Sequence, residues 1–276
     1  MNPHAPYSTG PLSVVRSVTN HRQLIRQLIA REVVGRYRGS IMGLAWSFLN
    51  PLLMLIIYTF VFSVVFKARW GTGGTEDRSE FALILFSGLI MHTLFSECVI
   101  RAPGVVLGNA NYVKKVVFPL EILCWVSLGS ALFHALVSCG VLLVAMLVIR
   151  HAMPWTVVLF PLVLIPFVLG VIGLSWALAA FGVFVRDIGQ LMGMVTTILM
   201  FLTPIFYPVT SLPERFRVWV YLNPLTWVVE QARNTLIFGK VPSFHGWAIS
   251  MILGALVAWG GFWLFQKLRR GFSDVI

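Results

Sequence analysis

Six stretches of this chain carry no Asp, Glu, Lys or Arg: Gly39–Phe66, Phe81–Ser96, Ile122–Ile149, His151–Val185, Ile188–Pro213 and Val241–Gln266. A helix needs about 20 residues to cross a bilayer. Each stretch is therefore a candidate span, the shortest of them reaching full length by continuing through Glu97 to about Ile100. Pro154, Pro161 and Pro166 in the fourth predict an interfacial turn at its start and a kinked helix beyond. A seventh span is disfavoured, because Arg150 and Pro154 leave room there only for a tight hairpin. The composition agrees, with 58% hydrophobic and 11% charged residues, against roughly 25% charged in a soluble domain. The solvent for most of this surface is lipid, and the expected fold is an all-α integral membrane protein with six transmembrane helices.

Six crossings put both ends on one side, and the basic residues say which. Of the 21 lysines and arginines, 13 fall on the side of the termini and 8 on the other, so the N and C termini are expected to be cytoplasmic. A formal charge of +11 would suggest nucleic acid in a soluble chain, but here topology explains the basic residues and no nucleic-acid partner is expected. Cys98, Cys124 and Cys139 lie in apolar sequence without metal-ligand spacing and read as small buried hydrophobes. Residues 1–20 hold Pro3, Pro6 and Pro11 and no apolar core, which predicts no cleavable signal peptide.

The segments between spans have their own patterns. Within residues 1–38, Asn20–Arg38 carries apolar residues at helical spacing with arginines mostly between them, and Asn20 with Gln23 resembles a capping box. A basic amphipathic helix in the cytoplasmic interface follows. It is either a simple headgroup anchor or a place where Arg36 and Arg38 also meet an anionic substrate or partner. Residues 101–121 are too long for a plain turn. Their Asn109, Asn111, the pair Lys114 and Lys115, and the apolar run ending at Phe118 favour a short docking helix for a cytosolic protein over a passive connector. On the outer side, residues 207–240 place Leu225, Val228, Val229, Ala232 and Leu236 on one helical face. Two short re-entrant helices that dip into the outer leaflet or cap a pore fit this pattern, with a folded surface loop as the alternative.

Catalytic chemistry is sparse. No G-x-x-x-x-G-K-[ST] occurs, so the chain is not expected to hydrolyse a nucleoside triphosphate, and neither H-E-x-x-H nor a paired-Asp motif for Mg²⁺ is present. No metal site and no catalytic residue are expected. Glu97 is the one acid inside a span, where charge is costly. Its spacing from Arg101 allows an i,i+4 pair, so it reads equally as a structural partner or a functional group. Aromatics such as Trp46, Tyr207, Tyr221 and Trp227 cluster at span ends. Interfacial belts account for most, while a minority could stack on the C–H faces of sugar rings.

Three strings carry a family likeness: RYRGSIMGLAWSFLNPL at Arg36–Leu52, NANYVKKVVFPLEIL at Asn109–Leu123, and LTPIFYPVTSLPERFRVWVYLNPLTWVVEQAR at Leu202–Arg233. In order and topological position the chain resembles the membrane subunits of ABC-2 type exporters for lipid-linked polysaccharides (O-antigen, teichoic acid and capsule permeases). Its ending KLRRGFSDVI, residues 267–276, looks like the family's short cytoplasmic tail. One local departure is Cys124 and Trp125 after Leu123, where family members often have proline. The resemblance implies a homodimeric permease in the bacterial inner membrane, paired with two copies of a separate ATPase that uses ATP and Mg²⁺, moving an undecaprenyl-diphosphate-linked glycan outward through residues 39–266. By the same likeness, Arg36, Arg38, Lys114 and Lys115 receive the diphosphate, and Asn109, Asn111, Tyr112, Phe118, Arg186 and Asp187 dock the ATPase. The path and gates fall to Tyr37, Trp46, Tyr58, Phe62, Phe206, Tyr207, Tyr221 and Trp227, with residues 207–240 as the outer gate. The alternative is an ABC-2 permease for a drug or small lipid.

Overall fold

The computed structural model describes residues 9–66, 70, 78–115 and 118–275, apart from the side chains of Ser63, Arg78, Ser79, Val113, Lys114, Lys115 and Asp274. Val116 and Val117 in the predicted docking run lie outside the described residues. Among those described, every regular element is helical and there is no strand. In chain order the α-helices are α1 Pro11–Arg36, α2 Trp46–Tyr58, α3 Arg78–Val105, α4 Ala110–Lys115, α5 Ile122–Arg150, α6 Phe160–Phe184, α7 Ile188–Leu202, α8 Glu214–Leu222, α9 Pro224–Leu236, α10 Phe244–Leu268 and α11 Phe272–Val275.

Among the described residues, five helical runs are long and apolar enough to cross a membrane: Gly43–Phe62, Glu80–Val105, Ile122–Arg150, Trp155–Phe184 and Phe244–Gly271. They coincide with five of the six uncharged stretches. The remaining one, α7, is only 15 residues, about 22 Å of helix against a hydrocarbon core of roughly 30 Å. It stops at Thr203, which takes an extended conformation (φ −81°, ψ 139°) because Pro204 disfavours the α region for the residue before it. The six-span expectation thus meets five full-length helices and one that ends early.

α3 is the central helix, packed by α2, α5, α6, α7 and α9. Close approach of the helices around it depends on glycine. A Cβ on Gly261 of α10 would lie 1.9 Å from the Gly173 carbonyl oxygen of α6, and one on Gly182 would lie 2.2 Å from that of Pro103 in α3. Without a hydrophobic driving force between helices in lipid, such backbone-close packing is what holds spans together.

α1 begins ten residues earlier than the capping-box spacing predicts. Pro11 supplies the first turn, where its missing N–H costs nothing, and Asn20 sits inside the helix beside a local kink at His21 (φ −115°, ψ 17°). The helix lies against α5: Val14, Ile25 and Val33 are buried, and Trp125 Nε1 donates to Ser17 Oγ at 3.3 Å. At the other end of the chain, Arg269 donates to Glu121 at 2.7 Å and to the Phe118 carbonyl at 2.7 Å, fixing the entry to α5.

α8 and α9 follow the broken end of α7. Asn223 caps α9 by accepting from the Leu225 amide at 3.0 Å and donates to Thr203 Oγ1 at 2.9 Å, so one side chain joins the two breaks. The α9 face of Leu225, Val228, Val229, Ala232 and Leu236 is buried as the spacing predicts. In α8 only Val220 is buried, while Phe216 and Trp219 remain exposed.

Candidate functional site

Glu97 projects from α3 into the junction of three helices. Arg36, at the last turn of α1, donates to its carboxylate. Arg101, one turn along α3, approaches it at 3.5 Å, and the His134 Nδ1 of α5 lies 3.6 Å away. Arg36 also contacts His134 Nδ1 at 3.0 Å, and Arg101 pairs with Glu32 of α1. The i,i+4 pair read from spacing is therefore present, but it is one edge of a larger network. Two guanidinium charges face two carboxylates, which is how a charge survives at a position mostly removed from water.

Beside this network a cavity of about 250 Å³ lies between α2, α3 and α5. Its wall runs from Ser47 to Tyr58 on α2 and from Glu97 to Phe86 on α3, about 16 Å along each helix. Arg36, Tyr37, Asn50, Tyr58, Thr93 and His134 contribute its polar surface. Tyr37 sits edge-on to the His134 ring at 6.1 Å. Polar groups on otherwise apolar spans are expensive unless they face protein or a water-filled space, so this cavity is the natural place for chemistry inside the bundle.

A second cleft, about 450 Å³, brings together Glu32, Arg101, Asn109 and Arg186 from four separate parts of the chain. Asn109 Nδ2 donates to the Val105 carbonyl at 2.9 Å and closes α3, while Tyr112 stacks on Phe118 at 4.3 Å and receives a hydrogen bond from Arg31 at 3.4 Å. Asn111, Arg186 and Asp187 are exposed. Arg38 is exposed and makes no ion pair among the described residues. Lys114 and Lys115 end α4, and their side chains lie outside those described.

The aromatic residues singled out for a path divide into groups. Tyr37 and Tyr58 line the cavity. Phe62 and Phe206 stack at 6.2 Å and Phe62 meets Phe81 at 5.5 Å, forming an aromatic cluster at the other end of α2. Tyr207 donates to the Phe201 carbonyl at 3.1 Å; Tyr221 is exposed on α8, and Trp46 and Trp227 are half-buried away from the cavity.

Residues 23–237 match the ABC-2 type transporter family, more than half of the chain. The chain belongs to that family. This ABC-2 permease is 26% identical over 267 residues to the O-antigen export system permease protein RfbA of Myxococcus xanthus, an alignment covering 96% of this chain and 100% of the relative. It is 26% identical to the permease of the same name from Klebsiella pneumoniae, over 87% of this chain and 90% of the relative. A third relative, the capsule polysaccharide export inner-membrane protein CtrC of Neisseria meningitidis serogroup B, is 23% identical over 92% of this chain and 94% of its own length. The chain is accordingly a multi-pass membrane protein homologous to bacterial inner-membrane export permeases.

Spacing alone misses one group in this permease. Arg233, counted in the sequence as an outer-side charge, is 3% exposed. It donates to the Ile84 carbonyl at 3.2 Å, to Pro204, and to Ile205 at 2.8 Å, and lies 4.5 Å from the centre of the Trp70 ring. The available signal was its position four residues after Val229 on the apolar face of α9. His134 and Glu32 were missed for another reason: α5 and α1 deliver them to Glu97 only once the helices pack.

Proposed function

We propose that this chain is the membrane subunit of an ATP-driven exporter that carries an undecaprenyl-diphosphate-linked polysaccharide, of the O-antigen or capsule kind, outward across the bacterial inner membrane. The observation that carries this reading is a polar, charge-lined cavity inside an apolar bundle; relatives named for O-antigen and capsule export supply the substrate class. Residues 39–266 cross six times with both termini cytoplasmic, α7 completing its crossing through the non-helical residues after Thr203. Two copies associate and bind two ATPase subunits, which use ATP and Mg²⁺.

In this reading α1 lies in the cytoplasmic interface and leads to the cavity mouth. Arg38, Lys114 and Lys115 take the diphosphate, assisted by Arg36, whose guanidinium is already held by Glu97. Asn109, Asn111, Tyr112, Phe118, Arg186 and Asp187 border the cleft and helix that receive the ATPase. A push there reaches the cavity through Arg101, which bonds both Glu32 of α1 and Glu97. Nucleotide drives transport because it binds the two arrangements of the complex with different affinity. Tyr37, Trp46, Tyr58 and Phe62 serve the glycan path, and Phe206, Tyr207, Tyr221 and Trp227 belong to the outer gate at residues 207–240.

A second reading, export of a drug or small lipid, is favoured by an apolar groove of about 490 Å³ between α2 and α5, lined by residues such as Phe48, Leu52 and Val144. Co-purifying the chain with its ATPase in lipid nanodiscs and measuring ATP turnover separates the two. Stimulation by lipid-linked glycan supports polysaccharide export; a response only to small amphiphiles replaces it with the second reading.

A further inference from the structure

We propose that the cavity between α2, α3 and α5 of a single chain is a reading station for one sugar residue, the ring next to the diphosphate of the transported lipid. This rests on the export reading above. Four observations lead to it.

The first is charge. The Arg36 and Arg101 guanidiniums are balanced by Glu97 and Glu32, so the cavity has no surplus positive charge with which to hold an anion. Its ligand is neutral. The second is hydrogen-bonding capacity. Thr93 and Asn50 are exposed although they sit on spanning helices, and both face the cavity. Neither side chain has a hydrogen bond to another described residue, whereas Ser47 and Ser138 on the same wall are satisfied by the Leu44 carbonyl at 2.7 Å and the His134 carbonyl at 2.9 Å. An amide and a hydroxyl in an apolar bundle call for a partner that both donates and accepts, which is the character of a polyol.

The third is shape. A volume of about 250 Å³ is below the roughly 300–1,000 Å³ of drug-sized sites, and Tyr58 and Phe86 line one end, aromatic side chains of the kind on which the C–H side of a sugar ring packs. The fourth is position. Tyr37 and Arg36 line the cavity directly before Arg38, so a diphosphate held at Arg38 presents its first sugar to this space. Asn50 and Thr93 then read hydroxyl positions, and Glu97, held by Arg36 and Arg101, accepts from a hydroxyl at the charged end. Discrimination between sugars follows, because a site built to bond a hydroxyl rejects an analogue lacking it.

The test uses Ala135→Cys, a cavity-lining position with no hydrogen-bonding role, in the full chain bound to its ATPase in nanodiscs, labelled with a water-soluble methanethiosulfonate reagent. The three native cysteines are buried, and Ser40→Cys, outside the cavity, is the control. Glucose, galactose, rhamnose and N-acetylglucosamine serve as probes at about 50 mM. For a Kd on the order of 10 mM, labelling at Ala135→Cys slows roughly six-fold with at least one sugar, labelling at Ser40→Cys does not change, and adding Asn50→Ala removes the protection. Labelling that no sugar slows overturns the proposal and leaves a water-filled vestibule. Absent labelling, or equal slowing at both positions, overturns it too. Glycan-stimulated ATP turnover measured on the same preparations tells the two failures apart: if it persists while protection fails, only the station is wrong, and if it is absent, the export reading falls.

Discussion

Arg233 shows what one residue can do when it is buried with suitable acceptors. The carbonyls of Pro204 and Ile205 belong to the non-helical turn after α7, so no helical amide serves them, and the guanidinium does. Arg233→Met keeps the bulk and removes the donors. Leaving two buried carbonyls unpaired costs about 1–3 kcal/mol each, so a loss on the order of 3 kcal/mol is expected, read as a lower unfolding temperature in detergent, with Arg233→Lys intermediate. Glu230, one turn back on α9, has the opposite character. Burial raises its carboxyl above the ordinary value, and nearby Arg233 only partly offsets this. A carboxyl raised in the folded state binds its proton more tightly there than in the unfolded chain, so stability falls as pH rises through the interval between the two values. Glu230→Gln is expected to stabilise the protein at neutral pH and to flatten that part of the pH–stability curve; a variant less stable than the parent at pH 7 refutes this.

At the scale of elements, the contact between α6 and α10 is set by glycines that admit backbone against backbone. Gly261→Val puts side-chain atoms where the Gly173 carbonyl already stands. Overpacking of this kind costs typically 1–3 kcal/mol or more, and the variant is expected to elute from size exclusion as aggregate or to melt several degrees lower. Gly140→Ala on α5, where nothing lies within 4 Å of the added Cβ, is expected to be neutral or to gain up to about 1 kcal/mol. The uncharged stretches made five spanning helices legible because each needs only length and apolarity along the chain. The early end of α7 was also written there, in Thr203–Pro204, but a run of uncharged residues conceals a break that lies within it. The start of α1 escaped the capping-box reading because Pro11 opens a helix as well as Asn20 could, and packing against α5 supports the additional turns.

At the scale of the whole molecule, the distribution of basic residues predicts that Ser40 and Arg270 face the cytoplasm and Lys240 the opposite side. All three are exposed. Single cysteines at these positions, in a chain whose own cysteines are buried, are expected to react with a membrane-impermeant thiol reagent from outside intact spheroplasts only at position 240; labelling of position 40 or 270 from outside overturns the assigned topology. The sequence by itself determined that the chain lives in lipid, where five of its long helices run and which family it resembles. Those properties depend on local composition, on the demand that every backbone group in a bilayer be bonded within its own helix, and on strings that stay contiguous. Only the tertiary structure decided which charges meet. Arg36 lies 61 residues from Glu97 and 98 from His134, and no spacing rule reaches that far; the three converge because α1 lies along α5 while α3 runs through the centre. The same packing turns Asn50 and Thr93 toward one cavity and buries Arg233, since a side chain's surroundings are set by which helix faces meet.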